Sequence, residues 1–164
     1  MVFTGTFEHS IDAKNRLAIP AEIRAALGQS ASPVAQDQAV YLYVMLGEGQ
    51  ALCLYTEAGF EQRATELDDS ELDADELLAY ERLMFSLARR VEMDKQGRVR
   101  LPENLLKMSE LTADVVLIGV KDHLEIRDRA AWQTYVRETL AKQPQILMNP
   151  RRAMRRAGRK SDGS

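Results

Sequence analysis

One nine-residue pattern occurs twice in this chain, and it restricts the fold more than any other feature. The first copy is Asp12-Ala13-Lys14-Asn15-Arg16-Leu17-Ala18-Ile19-Pro20, and the second, 82 positions later, is Asp94-Lys95-Gln96-Gly97-Arg98-Val99-Arg100-Leu101-Pro102. Both read Asp-x-x-x-Arg-apolar-x-apolar-Pro without a gap. An aspartate can bond its own backbone two residues on, and Asn15 and Gly97 tolerate a left-handed conformation, so each copy predicts a tight turn entering a short strand. Asp12, Asn15, Asp94 and Gly97 are the turn-structuring residues on this reading. Strand parity puts Leu17 and Ile19 inward and Arg16 outward, and places Arg98 and Arg100 together on the outer face. Pro20 and Pro102 suit the first turn of a helix.

The repetition extends past the turns. Phe3, Phe7 and Ile11 share one parity over residues 3–11, which predicts a half-buried strand before the first turn. Arg89 to Met93 predicts its equivalent before the second. Ala21 to Leu27, stopped by Gly28, and a short helix with Leu105 and Met108 follow the two prolines. Val40 to Leu46 and Ala51 to Tyr55 predict a hairpin, as do Val115 to Val120 and 124–126. Thr56 is placed to cap a helix with Phe60, Ala64 and Leu67, and Asp128 one with Trp132, Tyr135, Val136 and Leu140. A linking helix over 76–87 carries Leu77, Tyr80, Leu83, Met84 and Leu87 on one stripe. Leu52 to Phe60 matches Leu124 to Trp132 at a spacing of 72. The first copy therefore holds about ten extra residues, best placed in the polar loop 29–39. Two copies of strand–turn–strand–helix–hairpin–helix, each with few core residues, predict halves that share one core around a pseudo-twofold axis.

Charge distribution decides which partners are compatible. The net charge is −3, which by itself argues against nucleic acid. Arg151, Arg152, Arg155, Arg156, Arg159 and Lys160 cluster in a basic tail that has no apolar stripe and reads as disordered alone. Ten acids lie between Glu57 and Glu81, with Arg63 and Arg82 the nearby bases; this is most simply a solvated helix face. Phosphate responds to the local field, so basic turns on an acidic body remain compatible with DNA. No apolar run approaches ~18 residues, so no membrane span is expected. The N-terminus lacks a basic region followed by an apolar core, so no secretory leader is expected. The single cysteine, Cys53, sits in an apolar run and reads as a small buried hydrophobe in a reducing cytoplasm.

Lys14, Arg16, Lys95, Arg98 and Arg100 form the candidate DNA-binding set. A two-stranded ribbon fits the major groove, and arginine can meet phosphate or guanine there. A structural reading stands beside it: Asp12 with Arg16 and Asp94 with Arg98 fix the turns, and both readings can hold together. His9 and Asp12 fall on opposite strand parities, so no metal site is expected there. His123 lies in a hairpin turn with no obvious partner. No nucleophile–base arrangement, phosphate-cradling loop or paired-cysteine ligand set is present, so neither an enzyme nor a cofactor is expected. A second function class stays open: an antitoxin-like or scaffold protein-interaction module whose basic turns grip an acidic partner.

The spacing Phe3-x-Gly5-x-Phe7-x-His9-x-x-Asp12-x-Lys14-x-Arg16-Leu17-x-x-Pro20, with Glu92 to Pro102, resembles the MraZ family of bacterial transcriptional regulators, over about residues 1–145. The resemblance implies an α+β fold of two pseudo-symmetric AbrB-like halves, forming a double-split β-α-β or swapped-hairpin barrel with flanking helices. It divides the chain into a first half, 1–75, a second half, 76–145, introduced by the linker helix 76–88, and a basic tail, 146–164. It also implies double-stranded DNA with short promoter repeats as partner, a ring-shaped homo-oligomer, control of the division and cell-wall gene cluster, and a cytoplasmic, nucleoid-associated protein without a membrane partner. By position, the family's DNA-facing motif falls on Lys14 and Arg16 and on Lys95 and Arg98. Asn15 stands where the first motif usually has Gly, and both the long 29–39 loop and the arginine-rich tail depart from the pattern. With Lys95, Arg98 and Arg100, the second turn is expected to grip DNA more strongly than the first.

Overall fold

Alternating apolar residues draw the first strand against the sheet, but the strand is shorter than its alternation. The computed structural model describes residues 1–29 and 39–147. Strand β1 is Thr6–Ser10; pairing breaks at Gly5, and Phe3 instead forms an isolated bridge to Lys121. The order then runs β2 (Arg16–Ala18), α1 (Ala21–Gln29), β3 (Tyr41–Leu46), β4 (Leu52–Thr56), α2 (Glu57–Glu66) and α3 (Ala74–Leu87). The second copy follows as β5 (Arg89–Glu92), β6 (Arg98–Arg100), α4 (Glu103–Ser109), β7 (Asp114–Val120), β8 (His123–Asp128) and α5 (Arg129–Lys142). The architecture is α+β. Most of the expected 29–39 loop and all of the basic residues of the expected tail lie outside the described residues.

Six strands form one antiparallel sheet in the order β1-β7-β8-β4-β3-β5, and β2 pairs with β6 in a separate ribbon. The first strand of each copy therefore pairs with the hairpin of the other: β1 with β7, and β5 with β3. The two central pairings are self-complementary. Leu52 faces Ile126, Cys53 faces Glu125 and Leu54 faces Leu124, so at a spacing of 72 each residue faces the counterpart of its mirror position, and Cys53 faces its own. In the ribbon, Leu17 faces Val99, its own counterpart at a spacing of 82.

Parity then explains the core. Leu17, Ile19, Val99 and Leu101 are buried together with Leu42, Val44, Leu52, Leu54, Val115, Leu117, Leu124 and Ile126, and Ile23, Leu27 and Leu105 enter from α1 and α4. Both copies thus contribute to one cluster, in which each fully buried leucine or isoleucine contributes about 1.5–3 kcal/mol. The opposite face of the hairpin carries Met45, Cys53 and Tyr55, against which Phe60 of α2 and Met84 of α3 pack. Thr56 caps α2, its hydroxyl accepting from the Gly59 amide at 2.9 Å.

Several details of the helices differ from expectation; in α5, Tyr135 and Leu140 of the expected apolar stripe are 55% and 42% exposed. α1 continues through Gly28 to Gln29, and Gly28 does not take a positive φ. α3 begins before residue 76 because Asp73 caps it, accepting from the Glu76 amide at 2.9 Å. Leu83 is 53% exposed, because it lies about a quarter-turn off the face made by Leu77, Tyr80, Met84 and Leu87. Met108 is 47% exposed while Ser109 is buried, since the position four residues after Leu105 faces inward. From Ala130 the chain forms a second compact unit, in which Trp132 and Tyr135 of α5 stack at 5.4 Å.

The N-terminal segment is held by close backbone approach. Gly119 of β7 donates to the Gly5 carbonyl at 2.9 Å, and a Cβ on Gly119 would overlap the backbone of Phe3 and Thr4. Gly119→Ala is expected to push this segment off the sheet and destabilise the protein by about 1–3 kcal/mol, the usual range for overpacking. Urea unfolding checks this; a midpoint equal to that of the unsubstituted chain contradicts the contact.

Candidate functional site

The two turns are built alike, atom by atom. Asp12 Oδ1 accepts from the amides of Lys14 and Arg16, each at 2.9 Å, and Asp12 Oδ2 accepts from Arg16 Nε at 2.7 Å. Asp94 Oδ1 accepts from the amides of Gln96 and Arg98, each at 2.9 Å, and Oδ2 from Arg98 Nε at 2.9 Å. In each turn the Asp amide and carbonyl also bond to the backbone of the residues that close it. The residue before each arginine takes the left-handed conformation, Asn15 at φ +60 and Gly97 at φ +77. Asn suits that conformation better than other residues with a side chain, so the first turn survives without Gly.

Both readings of the arginines thereby have a geometric basis. Arg16 and Arg98 brace their turns through Nε, and their side chains are 26% and 27% exposed. A guanidinium carries five donors, so an Nε contact leaves those on the two Nη groups for a further acceptor. Lys14, Lys95 and Arg100 are exposed. None of these three forms an ion pair among the described residues.

The ribbon brings the two copies together at the turns. Arg16 lies opposite Arg100, and Ala18 opposite Arg98. The left-handed residue of each turn accepts across the ribbon: Leu101 donates to the Asn15 carbonyl and Ile19 to the Gly97 carbonyl, both at 2.8 Å. Lys14, Asn15, Arg100 and Leu101 line one groove of about 610 Å3 with Val91, Glu92, Pro102 and Glu103. The first turn therefore shares its surroundings with a cation from the second copy. The lysines are not equivalent: the counterpart of Lys14 is Gln96, and that of Lys95 is Ala13.

Sequence reasoning missed Arg24. It is exposed on α1, and it crosses to the second turn. A Cβ on Gly97 would lie 2.5 Å from Arg24 Cδ and 2.8 Å from both Nε and Nη1. Repeat logic could not flag it, because the matching position in the second copy is Leu106. The structure also corrects the reading of His123, which has two partners. Its Nδ1 is 2.7 Å from Asp122 Oδ1 and its Nε2 is 3.1 Å from Glu125 Oε1. His9 is a strand residue whose carbonyl accepts from Arg129 Nη2 at 2.9 Å.

The comparisons with known proteins cover both turns. The family model described as "MraZ protein, putative antitoxin-like" matches residues 2–81 and 84–154. The protein named Transcriptional regulator MraZ from Moorella thermoacetica is 36% identical over 139 residues, 84% of this chain and 89% of that relative. Its namesake from Clostridium tetani is 35% identical over 136 residues, 82% of this chain and 87% of that relative. The one from Lactiplantibacillus plantarum is 34% identical over 142 residues, 85% and 92%. Among the described residues no helix is long and apolar enough to cross a membrane.

The turn carboxylates give the molecule an acid response with a definite sign. Asp12 and Asp94 are held below the ordinary aspartate range, first by the amide hydrogen bonds from Arg16 and Arg98. The folded chain therefore takes up these protons less readily than the unfolded chain. The bracing is complete above the unfolded aspartate value and is lost as pH falls through the lower folded value. The double variant Asp12→Asn, Asp94→Asn is expected to be less stable at neutral pH and to lose less stability on acidification. Urea midpoints at neutral and strongly acid pH check this, and an unaltered difference between the two counts against it.

Proposed function

The chain belongs to the MraZ family, and from that premise we propose that it is a DNA-binding transcriptional regulator whose two Asp-x-x-x-Arg turns contact duplex DNA. The observation that carries this reading is the β2–β6 pairing, which sets both turns on one antiparallel ribbon with Arg16 opposite Arg100. A two-stranded ribbon has the dimensions the major groove admits. Like charges directly opposite one another are unfavourable in a sheet, and a polyanion against that face relieves them. Lys14, Lys95 and Arg100 supply phosphate contacts, while Arg16 and Arg98 combine a structural contact with a donor face for phosphate or guanine.

One chain offers few cations, so affinity on this reading comes from several chains acting together. We infer a ring-shaped homo-oligomer that engages successive short repeats at a promoter, that of the division and cell-wall gene cluster, in the cytoplasm on the nucleoid. The halves 1–75 and 76–145 supply one turn each. Arg100 stands beside Lys14 and opposite Arg16 at the first turn, and Arg24 lies against the second turn with Lys95 and Arg98, so each turn gathers three cations and the excess expected for the second turn from the sequence is not kept.

Binding to DNA bearing such repeats, measured by gel shift at fixed salt, tests this. Arg16→Ala is expected to weaken binding while gel filtration shows an unchanged oligomer, and Lys95→Ala or Arg100→Ala to lower the slope of log affinity against log salt by about 1. Arg98→Ala is expected to weaken binding to a similar degree as Arg16→Ala. Unchanged affinity in Arg16→Ala and Arg98→Ala removes the turns from the interface. Equal binding to repeat-bearing and scrambled DNA of the same length favours an acidic protein partner instead.

A further inference from the structure

Away from the turns, on the face of the sheet that carries Met45 and Tyr55, three metal-ligating side chains converge. Cys53, His123 and Glu125 each offer a ligand atom, and these atoms lie within 4.8 Å of one another. Rigid elements bring them there. Cys53 and Glu125 face each other across β4–β8, and His123 lies two residues before Glu125, on the same side of β8. Cys53 is 6% exposed, and the side chains of His123 and Glu125 are 13% and 16% exposed. The site is therefore shielded without being sealed.

We propose that Cys53, His123 and Glu125 form a three-ligand site for a zinc-class divalent cation, with Asp122 as the residue that positions His123. A thiolate, an imidazole and a carboxylate are the donor types such ions take, with ligand distances of roughly 2.0–2.3 Å and water in the fourth place. Asp122 holds Nδ1 at 2.7 Å, which leaves Nε2, on the Glu125 side, as the ligating nitrogen. A carboxylate on the far ring nitrogen is the usual outer partner of a metal-bound histidine. Stacking on Tyr55, 5.0 Å between ring centres, fixes the ring further. Arg127 Nε lies 2.6 Å from Glu125 Oε2. With the ion's two charges, Arg127 balances the negative charge of Cys53, Glu125 and Asp122.

The ligands come from both copies, Cys53 from the first and His123 and Glu125 from the second, so an ion here fastens β4 to β8 where the halves meet. Binding to the folded chain then raises its stability.

The test uses the full untagged chain, stripped with a chelator and kept reduced by a phosphine. Cobalt(II) is expected to give a thiolate-to-cobalt charge-transfer band that saturates at one ion per chain and is bleached by zinc(II), and zinc(II) is expected to raise Tm. Cys53→Ala is expected to abolish the band, and Asp122→Asn to weaken cobalt affinity about 10-fold or more. Because Cys53 is buried, Glu125→Gln serves as a second variant, with circular dichroism reporting its fold. A wild-type protein without the charge-transfer band overturns the proposal. So does a folded Glu125→Gln protein with undiminished affinity.

Discussion

The Asp12 carboxylate accepts three hydrogen bonds from residues 14–16, and Asp94 repeats them at its own turn. These bonds decide where the cations go. They shape each turn tightly enough that the next residues enter a strand in a fixed phase. One phase buries Leu17 and Ile19, or Val99 and Leu101; a slip of one residue would bury the arginines instead. The same carboxylate pairs with the arginine of its own turn. Support and charge compensation come from one side chain, so loss of the aspartate would disturb both.

The second constraint is that neither copy closes its own sheet. β1 lacks a partner until β7 is made, and β5 until β3 is made. Each short turn strand likewise pairs along its length with its counterpart from the other copy. The two turns therefore have one shared geometry. Arg100 reaches the groove beside Lys14, and Arg24 covers the second turn from the first copy. Assigning the cations to separate sites by sequence segment misses these exchanges.

Local chemistry was legible in the sequence and long-range pairing less so. Parity alone placed Leu17, Ile19, Val99 and Leu101 inside, and the Thr56 cap followed from one residue at a strand end. Repeat logic found the two turns and the hairpins. It could not find Arg24, whose counterpart is Leu106, nor the approach of Cys53, which the β4–β8 register brings beside Glu125; Asp122 and Glu125 are local partners of His123, hidden because the expected turn over 121–123 gives way to a strand that starts at His123. The misplaced ends of α1 and α3 have local causes: Gly28 tolerates ordinary helical angles, and Asp73 supplies a cap one turn before the apolar stripe begins. Leu83 and Met108 show that an apolar residue near a stripe need not belong to it, since a step of one position turns a helix by about 100°. The DNA-binding assignment of the lysines and arginines rests on the family and on charge, and is the part that binding measurements decide.

Symmetry of the backbone and asymmetry of the side chains act on different properties. Two residue pairs meet their own counterparts across the central pairings, Leu17 with Val99 and Cys53 with Glu125. The first pair lies in the shared core, where shape and apolarity constrain both members, and both are aliphatic. The second lies on the opposite face, where the neighbours are Tyr55, His123 and Arg127, and its members are a thiol and a carboxylate. The repeated backbone thus keeps its geometry through residues that must match, and differs in chemistry at residues that need not. The cation face follows the same rule: Ala18 holds the position in the first copy that Arg100 holds in the second. Neither side chain is buried, so the ribbon tolerates the change and gains one extra charge beside the first turn.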